Sequence, residues 1–185
     1  GQFEYNSNGK RMWLKTLETS TNEKGSGLLV LLHGSFLSNY QRFIVDMAEM
    51  AANNNLMMIS VRAPNGSGWN EGDQTNNAKH LHQIIQTEVL TKYNIDKKRI
   101  YFSGQSSGAG FLSSHFIPLH GNDYQGGAFM QCGGSRPALR LNPSDQFKNN
   151  FKLHFEITVL DLNWKASVRK TVEVMKKKVL SGTIY

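Results

Sequence analysis

One cysteine, four prolines and no aliphatic run longer than Leu28 to Leu32 in 185 residues exclude several classes of protein at once. The single thiol, Cys132, cannot close an internal disulfide, and five aliphatic residues fall far short of the ~20 needed to cross a bilayer as a helix. Gly1-Gln2-Phe3-Glu4 lacks the charged-then-apolar pattern of a secretory leader, so the chain as it stands reads as soluble. Cys132 closes the run Gly127-Ala-Phe-Met-Gln-Cys132 and reads as a buried strand thiol rather than a reactive one. One thiol excludes neither cytosol nor periplasm. Internal repeats, low-complexity tracts and linkers are also missing. Pro64, Pro118, Pro137 and Pro143 fall between periodic segments, where chain breakers belong. A single domain over residues 1–185, burying roughly 70% of its unfolded surface, is the simplest account.

The formal charge is +7, and residues 151–185 hold seven basic against three acidic side chains, which is +4 of that total. Lys176-Lys177-Lys178 closes a helical pattern, where cations complement the negative end of the dipole. No basic stripe interleaves with aromatics and no finger, homeodomain or RNP pattern occurs, so no nucleic-acid partner is expected. Gly66-Ser67-Gly68 is not a dinucleotide fingerprint, because position 71 is Glu, and no P-loop pattern is present. His80-x-His82 has no acidic or cysteine companion at ligand spacing. Neither metal nor cofactor is expected.

What the chain does have is alternation of strands and helices. Residues 11–17 alternate as a half-exposed strand, Leu28 to Leu32 and Leu56 to Val61 are apolar runs suited to a parallel sheet buried on both faces, and Arg99 to Ser103 is a third. Gly126 to Cys132 and Lys152 to Val159 are further strands. Between them, Phe43, Ile44, Met47, Ala48, Met50 and Ala51 recur at helical spacing. Leu81, Ile84, Ile85 and Val89 form the core face of a second helix, a third runs from about Ala109 to Phe116, and a fourth from Lys165 to Lys178 turns Val168, Val172 and Met175 inward. This order predicts an α/β class with a mostly parallel, doubly wound sheet and helices on both faces, whose ligand site lies beyond the carboxyl ends of the strands.

Three places there carry chemistry. Gly104-Gln105-Ser106-Ser107-Gly108 is a G-x-S-x-G directly after a strand and before a helix. A serine on so tight a turn needs small residues two positions to either side, and the helix N-terminus supplies N–H groups for a developing oxyanion. Leu32-His33-Gly34-Ser35 ends the first buried strand, where the N–H of Ser35 (or Phe36) joins that of Ser107 as an oxyanion donor. His33 orders this loop beside the substrate through its ring nitrogens. Asp161 follows the late strand and reads as the carboxylate that orients a catalytic imidazole, with helix capping as the competing reading and Asp145 as the fallback acid. Trp69 and Trp164 are aromatic walls for a substrate, or else cover the core.

Taken together, His33-Gly34-Ser35, Gly104 to Gly108 after Arg99-Ile-Tyr-Phe-Ser103, and Asp161 after Phe155 to Val159 resemble the α/β-hydrolase superfamily. Within it, Asn94-Ile-Asp96-Lys-Lys-Arg99-Ile-Tyr101 is similar to the polyhydroxybutyrate depolymerase and feruloyl esterase-like branch of secreted carboxylesterases. The match covers residues 11 to 179. The resemblance implies Ser106 as nucleophile, Asp161 as triad acid, Ser35 and Ser107 as oxyanion donors, a small-molecule or polymeric ester as substrate, and a secreted or periplasmic setting with the cytoplasm still open. It leaves oligomeric state unaddressed.

The departure from the family's pattern concerns the base. The family's triad histidine follows the acid, and no histidine follows Asp161: His33, His80, His82, His115, His120 and His154 all precede it. His80 and His82 are expected on the solvent side of their helix. His115 is nine residues from Ser106, about 13 Å along a helix axis. Three accounts stay open: a chain ending before its last strand and histidine loop, an inactive binding module built on the same cleft, or an unexpected base.

Overall fold

Leu28 to Leu32 has no polar face to offer water, and it occupies the middle of the sheet. The computed structural model describes residues 2–7, 10–17, 25–36, 40–158 and 162–179. Its strands are β1 (Gln2–Ser7), β2 (Lys10–Leu17), β3 (Ser26–Leu32), β4 (Leu56–Val61), β5 (Ile95–Gln105), β6 (Gly126–Gln131) and β7 (Phe151–Glu156). They form one sheet in the order β1-β2-β4-β3-β5-β6-β7. β3 to β7 run parallel, while β1 and β2 are antiparallel additions, β2 pairing with β4. β1 was not legible in the sequence, because Gln2 to Ser7 mixes polar and apolar residues without a sustained face.

Helices cover both faces unequally. α1 (Arg42–Asp46) and α2 (Ala48–Asn53) pack Ile44 and Ala51 against Leu29, Leu31 and Met58. On the other face lie α3 (Gln74–Ile84), α4 (Leu90–Lys92), α5 (Ser107–Phe111), α6 (Ile117–His120), α7 (Asp145–Asn150) and α8 (Leu162–Val179), around a core that includes Leu28, Val30, Phe102 and Phe116. The wide turns Ile85–Val89 and Leu112–Phe116 are π-helical and join α3 to α4 and α5 to α6. Beyond α1 and α2 an apolar groove of about 540 Å³ runs over Leu29, Tyr101, Phe129 and His154.

Several expected boundaries move. The helix predicted from Phe43 is two pieces broken at Met47, and Met50 is exposed rather than inward. β6 stops at Gln131, which leaves Cys132 half-buried in a left-handed turn (φ 48°) rather than in a buried strand. β7 ends at Glu156, short of Val159. α8 starts at Leu162 rather than Lys165, with Val168 and Met175 buried and Val172 packed beside them. The helix after the elbow starts at Ser107, two residues before Ala109.

His80 and His82 do not face solvent. His80 is buried, and the half-buried His82 ring stacks on His120 at 4.1 Å between centroids and 7° between planes. Burial pushes the His82 ring below its ordinary pKa. It takes His120 down to about 4, with the neighbouring His82 and Lys79 acting in the same direction against Asp123.

Candidate active site

Ser106 sits where β5 gives way to α5, at φ 50° and ψ −110°, a conformation that L-residues populate only when their surroundings impose it. Its own N–H donates to the Gln131 carbonyl at the end of β6 (2.9 Å), and its carbonyl accepts from Gly110 N–H (2.9 Å). The two flanking glycines explain why the turn closes. A Cβ on Gly104 would lie 2.7 Å from the Ala109 nitrogen, and one on Gly108 would lie 2.5 Å from the Leu32 carbonyl oxygen.

The close approach of Gly108 to β3 also brings the two oxyanion-donor candidates together. Gly34 lies against Ser106, since a Cβ built on it would be 3.3 Å from Ser106 Cβ. A Cβ on Gly68 would meet both Ser35 Oγ (2.7 Å) and Ser107 Oγ (3.3 Å), so those hydroxyls flank one small space. Ser35 Oγ donates to Asn70 Oδ1 (3.4 Å), and Ser107 Oγ accepts from Trp69 N–H (3.4 Å). Phe36 is ruled out as the alternative donor, because its N–H is engaged by the Ser67 carbonyl at 2.7 Å. Among the described residues, the N–H groups of Ser35 and Ser107 have no protein acceptor, and Ser107 stands in the first turn of α5, where N–H groups lack helical partners.

His33 orders the loop but has no face for a substrate. It is fully buried; Ala63 N–H donates to Nε2 (2.9 Å), so Nδ1 carries the proton and donates to the Gly34 carbonyl (2.7 Å). Burial lowers its pKa further, against the pull of the Gly34 carbonyl. The ring is therefore a neutral brace tying the end of β3 to the segment after β4. Trp69 is likewise no substrate wall: the indole is fully buried, 4.8 Å from Phe111 and 6.1 Å from His33 between ring centroids. Polar loop neighbours made it look peripheral, and only the fold shows that the loop dives inward at that residue.

The cleft beside Ser106 is about 280 Å³ and is walled by Ser35, Asn70, Gln74, His115, Ser135 and Arg136 among others. His115 shares the cleft but its Nδ1 pairs with Ser114 Oγ (2.7 Å), and none of the six histidines is hydrogen-bonded to Ser106. His120 and His82 are far down the helices, and His154 faces outward from β7. Asp161 lies outside the described residues, and so does the side chain of Trp164. With α8 starting at Leu162, Asp161 is the residue next before a helix, the position that the capping reading requires. Asp145, the fallback acid, is unsuited: it opens α7 ahead of β7, at the opposite end of the sheet from Ser106, and pairs with Lys148 (3.2 Å) in solvent.

No family model matches the sequence, and no curated protein matches it. Solved structures do match. A thermostable esterase aligns over 100% of this chain and 54% of its own length at 19% identity, with a TM-score of 0.68. The Bacillus cereus carboxylesterase aligns over 94% of this chain and 84% of its own (18%, TM-score 0.70), and a carboxylesterase from Mesorhizobium loti over 100% and 89% (17%, TM-score 0.70). The chain thus spans about half the length of the first of these. At such identities a match carries architecture and not chemistry, and the architecture is that of the α/β-hydrolases, whose fold this chain has.

Proposed function

We propose that the chain is the nucleophile-bearing domain of a serine hydrolase that cleaves carboxylic esters through an acyl-enzyme on Ser106. The observation that carries this reading is the backbone of Ser106, held at φ 50° at a strand-to-helix junction beside two N–H groups that have no acceptor among the described residues. In the reaction, Ser106 Oγ adds to the ester carbonyl carbon and its proton passes to a base. The carbonyl oxygen becomes an oxyanion facing the N–H groups of Ser107 and Ser35. The alcohol leaves with the proton returned by the base, and water then cleaves the acyl-enzyme. Asp161 is the carboxylate proposed to orient the base.

The second reading, a non-catalytic binding cleft, is favoured by one specific observation: none of the six histidines bonds to Ser106. Chemical rescue separates the two. The cleft has room for a free imidazole, so fluorophosphonate treatment followed by intact-mass analysis is expected to give one adduct per chain, formed about tenfold or more faster with imidazole at tens of millimolar. Ser106→Ala is expected to give none. Absence of any Ser106-dependent adduct at every imidazole concentration rejects the hydrolase reading and leaves the binding cleft.

A further inference from the structure

We propose that His82, His120 and Asp123 form a binding site for a zinc-like divalent cation between α3 and the end of α6, about 20 Å along the helix axis from the Ser106 cleft. One ring nitrogen from each histidine and one carboxylate oxygen of Asp123 lie within 4.8 Å of one another. His120 Nδ1 is 3.6 Å from Asp123 Oδ2, too long for a hydrogen bond but close to the ~3.4 Å between two ligands of a tetrahedral zinc with bonds of about 2.0–2.1 Å.

The donor set fixes the class of cation. Two imidazoles and one carboxylate suit zinc and its transition-metal neighbours, whereas calcium and magnesium take oxygen ligands. Tyr124 supplies the outer support: its buried hydroxyl lies 2.9 Å from His82 Nδ1 and fixes that ring from behind. The stack does not satisfy its own members, because His120 Nε2 is buried without a hydrogen-bond partner. A cation must lie in the plane of each ring, so one ring turns out of the 7° stack on binding. Asp123, 52% exposed, lies on the path from solvent.

Sequence spacing argued against a metal because it tested only His80-x-His82. His120 and Asp123 enter from a separate helix end, with no local signature.

The test is calorimetric titration of the full chain with zinc chloride, with cobalt(II) as an absorbing substitute. The expected result is one ion per chain, a raised melting temperature, and visible cobalt bands of low-coordinate geometry, with no comparable effect of calcium or magnesium. His82→Gln and the exposed Asp123→Asn should each weaken binding about tenfold or more and diminish the cobalt bands, while His154→Gln on β7 changes neither. Because Asp123 is exposed, its variant keeps the comparison valid if His82→Gln fails to fold. No saturable zinc binding, equal binding of calcium, or zinc binding that survives Asp123→Asn in a folded chain overturns the proposal.

Discussion

Alanine at Gly108 is expected to cost about 3 kcal/mol or more of folding stability, read as a lower urea midpoint at unchanged slope. The added methyl meets the carbonyl oxygens of Leu32 and His33 at 2.5 and 2.9 Å, backbone atoms of the last residue of β3 and the one after it, with no rotamer to yield. Relief requires the elbow to lift from the strand, which separates the N–H of Ser107 from that of Ser35. Imidazole-assisted labelling of Ser106 should therefore fall even in the folded fraction. Gly110→Ala is the contrasting case, because its methyl meets only Ser135 Oγ at 3.2 Å, and a hydroxyl can rotate. There the better helix propensity of alanine offsets the contact, and stability should change by less than about 1 kcal/mol. Equal midpoints for the two variants would mean that the elbow is not held by close approach to β3.

Removing the His33 ring should cost a similar amount, about 3 kcal/mol or more for His33→Ala, since it opens a cavity and strands two buried backbone groups, the Ala63 N–H and the Gly34 carbonyl. The same residue sets a pH dependence. His33, His82, His115 and His120 all have lowered pKa values in the fold, chiefly through burial. Between their unfolded values near 6.5 and their folded ones, the unfolded chain binds more protons. Their contribution is thus complete above about pH 6.5 and is lost as pH falls toward the folded values, the loss from His120 continuing down to about 4. Urea unfolding at pH 7 and pH 5 should show the fall, and a destabilised His33→Ala should show a smaller one. A stability flat from pH 7 to 5 would contradict the burial of these rings.

The parts of the fold legible in the sequence are those where one physical requirement acts on adjacent residues. A strand buried on both faces needs a continuous apolar run, which Leu28 to Leu32 and Leu56 to Val61 supply. A serine elbow needs glycine at two fixed offsets, and Gly104 and Gly108 meet two different neighbours, α5 and β3. The bracing role of His33 was legible too, because a histidine between a strand end and a glycine turn has backbone groups on both sides. What stayed hidden depends on residues far apart in sequence. The burial of Trp69 is decided by Phe111, and the environment of His82 by His120 and Tyr124. The start of α8 was misplaced because Leu162-Asn163-Trp164 carries no helical periodicity of its own.

The π-helical turn Leu112–Phe116 gives the chain an unusual response to length variation. A turn of this kind is one residue inserted into an α-helix, so deleting a single residue from it restores regular winding without breaking the segment. The wide turn absorbs the extra residue, so Ser106 and Gly108 upstream and His120 downstream present the same faces with it or without it. One codon lost there would leave the elbow as it is and His120 beside His82. This helix can therefore vary in length by one residue without changing what either of its ends faces.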